Sequence, residues 1–184
     1  MDPSLPSRIK SIHVLGGTIR GYGNATPCAE YNFYTDPEAA YNVLRQFTPH
    51  CHMQIVTYEI TLDYGVPPDW FNNAVAGSGK RATFYRSIFK YSQAAEDGDI
   101  AAGLQKGYSP CDAYLVAIVL DPSIVTKSKM VRMGVELGGY ISRGSLVIDH
   151  KNKGSPHLSP KPIELIQQLD DTKFKSLLAQ AFVD

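Results

Sequence analysis

A chain of 184 residues, 43% hydrophobic and 20% charged with zero formal net charge, is long enough to bury one sizeable core and too apolar for a disordered chain. Lys and Arg form no run, which argues against a nucleic-acid polymer as partner, and no apolar stretch approaches the roughly 20 residues of a membrane span. Residues 1–11 (MDPSLPSRIKS) hold no apolar signal core, and the three scattered cysteines, Cys28, Cys51 and Cys111, fit a reducing compartment, so a cytoplasmic location is expected.

Residues 1–7 read as a loose terminus. Residues 9–15 (IKSIHVL) form a short apolar run that stops at Gly16-Gly17, and they read as a buried strand. A loop with Gly16, Gly17, Gly21 and Gly23 follows. Asp36-Pro37-Glu38 then opens a helix: Asp can cap, Pro is tolerated at the first helical position, and Glu suits the positive end of the helix dipole. Ala40, Val43, Leu44 and Phe47 give that helix one buried face, and Pro49 closes the segment. Residues 51–62 (CHMQIVTYEITL) read as a second strand. Strand, helix, strand is the unit of a parallel α/β sheet.

Pro67-Pro68-Asp69 starts a short helix over residues 70–75, and Gly77-Ser78-Gly79 breaks it. Residues 80–95 read as an amphipathic helix with Phe84, Ile88 and Tyr91 on one side and Tyr85 and Phe89 beside them, and residues 96–107 as a polar connection. Residues 113–120 form a buried helix that opens after Ser109-Pro110-Cys111-Asp112 and ends at Asp121-Pro122. Two strands are expected over 129–136 and 140–150, around Gly138-Gly139, then a brief strand over 163–166 and a closing helix over 172–182.

Several local patterns look like chemistry. Gly21-Tyr22-Gly23 lacks the third glycine of a dinucleotide fingerprint, because Thr26 occupies that position. Gly77-Ser78-Gly79-Lys80 resembles the end of a phosphate loop, but Ala74 and Arg81 stand where Gly and Ser or Thr are needed. His50-Cys51-His52 is too closely spaced for one zinc site on a strand, where neighbours alternate faces. Asn24, Glu30 and Asn32 are different: three polar side chains within nine residues leave the carboxyl end of a strand, the edge where open α/β sheets bind ligands. Carboxylate and amide groups together suit sugar hydroxyls, which both donate and accept. Their plainer role is to solvate a loop. Asp112 reads equally as a helix cap, and Cys111 as a small buried residue.

Taken together these stretches resemble the inosine/uridine-preferring nucleoside hydrolase family. Leu15-Gly16-Gly17 is similar to the family's Met-Gly-Gly strand end. Gly23-Asn24-Ala25-Thr26-Pro27-Cys28-Ala29-Glu30-Tyr31-Asn32 resembles its Gly-Asn-Val-Thr-Pro-x-Ala-Glu-Phe-Asn run, and Asp36-Pro37-Glu38-Ala39-Ala40 matches its helix start unchanged. Cys111-Asp112 is similar to its later His-Asp pair. The resemblance spans residues 9–184. It implies a single domain of α/β class, with a partial Rossmann-like sheet, mostly parallel and flanked by helices.

The implied activity is hydrolysis of the N-glycosidic bond of ribonucleosides, releasing base and ribose. Asn24, Glu30 and Asn32 would hold the ribose hydroxyls. Asp112 would be one carboxylate ligand of a Ca²⁺ that coordinates the sugar diol and the attacking water. Cys111 would be the acid for the leaving base, where many members have His; a thiol with a pKa of about 8.5 is a different acid. Tyr85 or Tyr91 could activate the base by stacking.

The family's opening cluster, Asp-x-Asp-x-x-x-Asp-Asp, is absent, so the chain aligns from the middle of the family domain. The alternative is therefore a catalytically inactive truncated homologue that acts as a nucleoside-binding or partner protein. Such a half-domain is expected to expose a sheet edge and to associate through it, with itself or with a partner.

Overall fold

The structure, a computed structural model, describes residues 2, 4–104 and 106–184, apart from the side chains at 92–95 and 99. In chain order the elements are β1 (Ser11–Leu15), α1 (Tyr31–Thr35), α2 (Pro37–Phe47), β2 (His52–Val56), α3 (Tyr58–Asp63), α4 (Pro68–Ala74), α5 (Lys80–Ala101), α6 (Cys111–Leu120), β3 (Val125–Val131), β4 (Met133–Val135), β5 (Leu146–Ile148), β6 (Ile163–Leu169) and α7 (Asp171–Gln180). They form two compact units, residues 1–59 with 127–167 and residues 60–126 with 168–184.

The first unit carries the sheet, in the order β1-β2-β6-β3, beside an antiparallel β4-β5 hairpin. β1 runs parallel to β2 with Leu15 opposite Val56, and β2 runs parallel to β6 with Ile55 opposite Leu165. Met53 to Val56 are all buried, as a strand covered on both faces requires. β1 and β3 are the outer strands. α2 buries Leu44 and Phe47 in a cluster with Phe33, Met53, Ile55 and Met133. Its start is the one the sequence specifies: the Asp36 carboxylate accepts the Ala39 N–H at 2.9 Å and Pro37 occupies the first turn. Asp36→Ala should remove this cap and lower stability by about 1 kcal/mol, read from the urea midpoint.

Helices make up the second unit. Tyr114 on α6 is fully buried, stacks on Phe174 of α7 at 4.3 Å and donates its hydroxyl to the Tyr64 carbonyl at 2.6 Å. Phe71 of α4 lies 4.3 Å from Phe89 of α5, with Tyr108 and Phe182 edge-on at 5.7 and 5.8 Å. Gly79 has no side chain to cap α5, and the C-terminal residue does so instead: Asp184 accepts the N–H groups of Lys80 and Arg81 at 2.7 and 3.0 Å. These bonds, that from Arg81 foremost, lower the Asp184 pKa.

Several expected boundaries change. The strand expected over 51–62 ends at Val56, and Tyr58–Asp63 is helical. β1 stops at Leu15, so a longer β2 would lose its partner on that side, and the Tyr58 N–H turns to the Gly17 carbonyl at 2.9 Å. α5 runs to Ala101 through part of the expected connection, because Glu96 and Asp97 find partners: the Ser109 N–H and the Tyr108 hydroxyl. Its packed face carries Tyr85 and Phe89, whereas Phe84, Ile88 and Tyr91 point to solvent. The strand expected over 140–150 shrinks to Leu146–Ile148, since Glu136 accepts the N–H groups of Gly138 and Gly139 and folds the preceding residues into a turn. The single strand expected over 129–136 is two, β3 from Val125 to Val131 in the main sheet and β4 in the hairpin, and β6 extends to Leu169.

Candidate functional site

β1 ends at Leu15, and the chain then makes a turn that only glycine allows. Gly17 has a φ of 73°, and a Cβ there would also overlap the Leu146 side chain. The turn leads into the loop 23–29, closed on itself by the Gly23 N–H on the Pro27 carbonyl (3.2 Å) and the Ala25 N–H on the Ala29 carbonyl (3.2 Å). α1, absent from the pattern-based reading, follows at once. Its five residues are too few to persist alone. It forms because Glu30 caps it: one carboxylate oxygen, Oε1, accepts the Asn32 N–H at 2.8 Å, and the other, Oε2, accepts the Phe33 N–H at 3.3 Å.

Oε2 of Glu30 also accepts the Gly17 N–H at 2.7 Å. Glu30 is 5% exposed, so this carboxylate is a buried tie between the strand end and α1. Three of its roughly four acceptor positions are used. The two asparagines are exposed. Asn24 Oδ1 accepts the N–H of Tyr31, the residue before Asn32, at 2.8 Å, and Asn32 Nδ2 donates to the Leu15 carbonyl at 3.3 Å. Those bonds set the amide orientations. They leave the Asn24 NH₂ as a donor and Asn32 Oδ1 as an acceptor, a pairing that matches the donor-and-acceptor character of a hydroxyl.

A second buried carboxylate serves the same turn. Glu59 is 4% exposed, and its Oε1 accepts the Thr18 hydroxyl at 2.5 Å and the N–H groups of Ile19 and Arg20, each at 2.8 Å. The signal for it was an acidic residue inside the apolar stretch 55–62. A strand reading treats that residue as an irregularity and gives it no role.

The other two predicted residues lie in the second unit, adjacent at the start of α6. Asp112 is exposed, in the first turn; the cap position is Pro110, and Asp112 makes no capping bond, contrary to its plainer reading. Cys111 is partly buried. Burial pushes its thiol up to about 11, well above the ordinary value assumed from sequence, with a hydrogen bond to Thr61 opposing the shift. The thiol therefore keeps its proton across the neutral range and gives it up reluctantly. Alkylation of Cys111 at pH 8 should run roughly a hundredfold slower than that of free cysteine and accelerate with pH toward 11, as followed by peptide mass spectrometry.

No three His, Cys, Asp or Glu side chains gather among the described residues in a way that could hold a metal ion. Ca²⁺ takes six to eight oxygen ligands, and Asp112 offers one carboxylate, so these residues do not make a calcium cage by themselves. No helix among the described residues is long and apolar enough to cross a membrane.

The chain is similar to known proteins in sequence and in fold. A nucleoside hydrolase of Crithidia fasciculata described as inosine-uridine preferring is 28% identical over 98% of this chain and 54% of its own length. A counterpart of the same description from Leishmania major is 29% identical over 98% and 54%. The fold superimposes on a solved inosine-guanosine nucleoside hydrolase with a TM-score of 0.80, at 24% identity, covering 98% of this chain and 56% of that one. The chain thus spans about half the length of the relatives it matches. Residues 1–176 match the family described as inosine-uridine preferring nucleoside hydrolase, and the chain belongs to that family.

Proposed function

We propose that this chain recognises the ribose of a ribonucleoside through Asn24, Glu30 and Asn32, in the service of the family's hydrolysis of the N-glycosidic bond. The observation that supports this reading is the complementary pair of free amide groups, one donor and one acceptor, fixed beside a buried carboxylate at the strand end. Glu30 acts mainly by holding the two amides in place, and the remaining lone pair on its Oε1 is available to a sugar hydroxyl. Asp112 would supply one carboxylate to a Ca²⁺. Cys111, with its proton held firmly, is a slow acid for the leaving base. The part assigned to this chain's own residues is therefore sugar recognition and orientation.

Calorimetry with ribose, 2-deoxyribose, inosine and uridine tests the reading. Ribose and the two nucleosides should bind, the deoxy sugar more weakly, and Asn32→Ala should weaken ribose about tenfold, the scale of one lost hydrogen bond in a desolvated site. Equal affinity for ribose and 2-deoxyribose, unaltered by Asn32→Ala, would overturn it. Base release from inosine and uridine, with and without Ca²⁺ and in Asp112→Ala, measures how much of the hydrolytic reaction this chain performs alone.

A further inference from the structure

Four consecutive residues after β1 are held by two carboxylates. The Gly17 N–H goes to Glu30, while the Thr18 hydroxyl and the N–H groups of Ile19 and Arg20 go to Glu59. All three donors on Glu59 converge on Oε1. Its other oxygen, Oε2, is buried and has no hydrogen-bond partner among the described residues. A buried carboxylate oxygen without a donor is costly, and a carboxylate needed only to tie down the turn could share its three donors between both oxygens. The turn could also have been held by a neutral amide, which offers the same accepting oxygen. What an amide would not supply is charge.

Resting on the sugar-site reading, we propose that Glu59 is a positioning residue with a second role: it fixes the Thr18–Arg20 turn and places the charge of a carboxylate, one of whose oxygens lacks a donor, beside the turn that leads into the site. Gly17, bonded to Glu30, and Thr18, bonded to Glu59, are neighbours, so the two carboxylates flank one turn. Leu15, two residues earlier, holds Asn32. Cleavage of a ribosyl bond builds positive charge on the sugar ring, and a carboxylate screened poorly by its surroundings favours that cation over the neutral sugar. The ligand class Glu59 selects is a ribose-shaped cation.

The test is calorimetry on the purified chain with ribose and with a ribose analogue whose ring oxygen is replaced by a protonated nitrogen. The wild type should prefer the cationic analogue. Glu59→Gln, which keeps an accepting oxygen for the turn, should cut that preference about tenfold while changing ribose affinity little. Glu59→Asp is too short to hold all three donors but keeps the charge. It should weaken both ligands and retain the preference, and it decides the matter alone if the glutamine variant does not fold. Wild-type preference retained in Glu59→Gln, or lost in Glu59→Asp, overturns the charge role and leaves a structural tie only. A wild type that binds neither compound overturns the sugar-site reading and this inference with it.

Discussion

Glu30→Ala is expected to lower the stability of the chain by about 3–5 kcal/mol and to abolish measurable ribose binding. The carboxylate accepts three backbone N–H groups, and those of Gly17 and Phe33 belong to buried residues, so alanine leaves two buried donors without a partner. Each such orphan costs about 1–3 kcal/mol, while the Asn32 N–H, on an exposed residue, can turn to water. Against a total stability of about 5–15 kcal/mol the loss is large. Glu30→Gln separates the roles. Its amide oxygen can keep the Gly17 and Phe33 donors with its NH₂ turned to the exposed Asn32 side, so it should cost only about 1 kcal/mol. Urea unfolding followed by far-UV circular dichroism is the right readout. The single tryptophan, Trp70, lies in the second unit and would report on the wrong part of the molecule.

Gly23→Ala should weaken ribose binding at least tenfold, with a stability loss of about 1–3 kcal/mol. A Cβ at position 23 would overlap the Thr26 carbonyl oxygen outright and lie 2.5 Å from both the N and the O of Ala29. These are backbone atoms and cannot swing aside as a side chain could. The ring of hydrogen bonds across residues 23–29 must open, and Asn24 moves with it. Gly21→Ala is the control. Space is open around that position, and only its φ of 73° opposes a side chain, so stability should fall by about 1 kcal/mol with ribose affinity kept. Calorimetry on the two variants in parallel checks both statements. Equal effects on ribose affinity would show that the closed loop does not position Asn24.

Much of the fold is readable from short-range signals. Asp36, Pro37 and Glu38 fix where α2 begins, because cap and dipole interactions act within four residues. The apolar run that becomes β2 is visible because burial on both faces leaves a nearly continuous hydrophobic stretch, whereas β1, an outer strand expected to be buried, is only partly so. The motif from Gly23 to Asn32 marks the family, and Asn24 and Asn32 do emerge as exposed polar groups at the strand end. The missed pieces share one property, that their causes lie elsewhere in the chain. α1 has five residues and no apolar period to detect; it exists through the Glu30 cap and its tie to Gly17. The tail of α5 looked like a connection until Tyr108 and Ser109 returned to hold Asp97 and Glu96.

The sequence by itself determined the strand-helix-strand order, the glycine turn and the family, since periodicity, caps and motif residues are properties of near neighbours. Tertiary structure decided where each carboxylate points and how each titratable group behaves. Glu30 meets a donor 13 residues away, Glu59 meets donors 39 to 41 residues away, and Cys111 is desolvated by whatever packs over it. A buried acid is placed by the donors that converge on it, and those donors become neighbours only when the chain has folded.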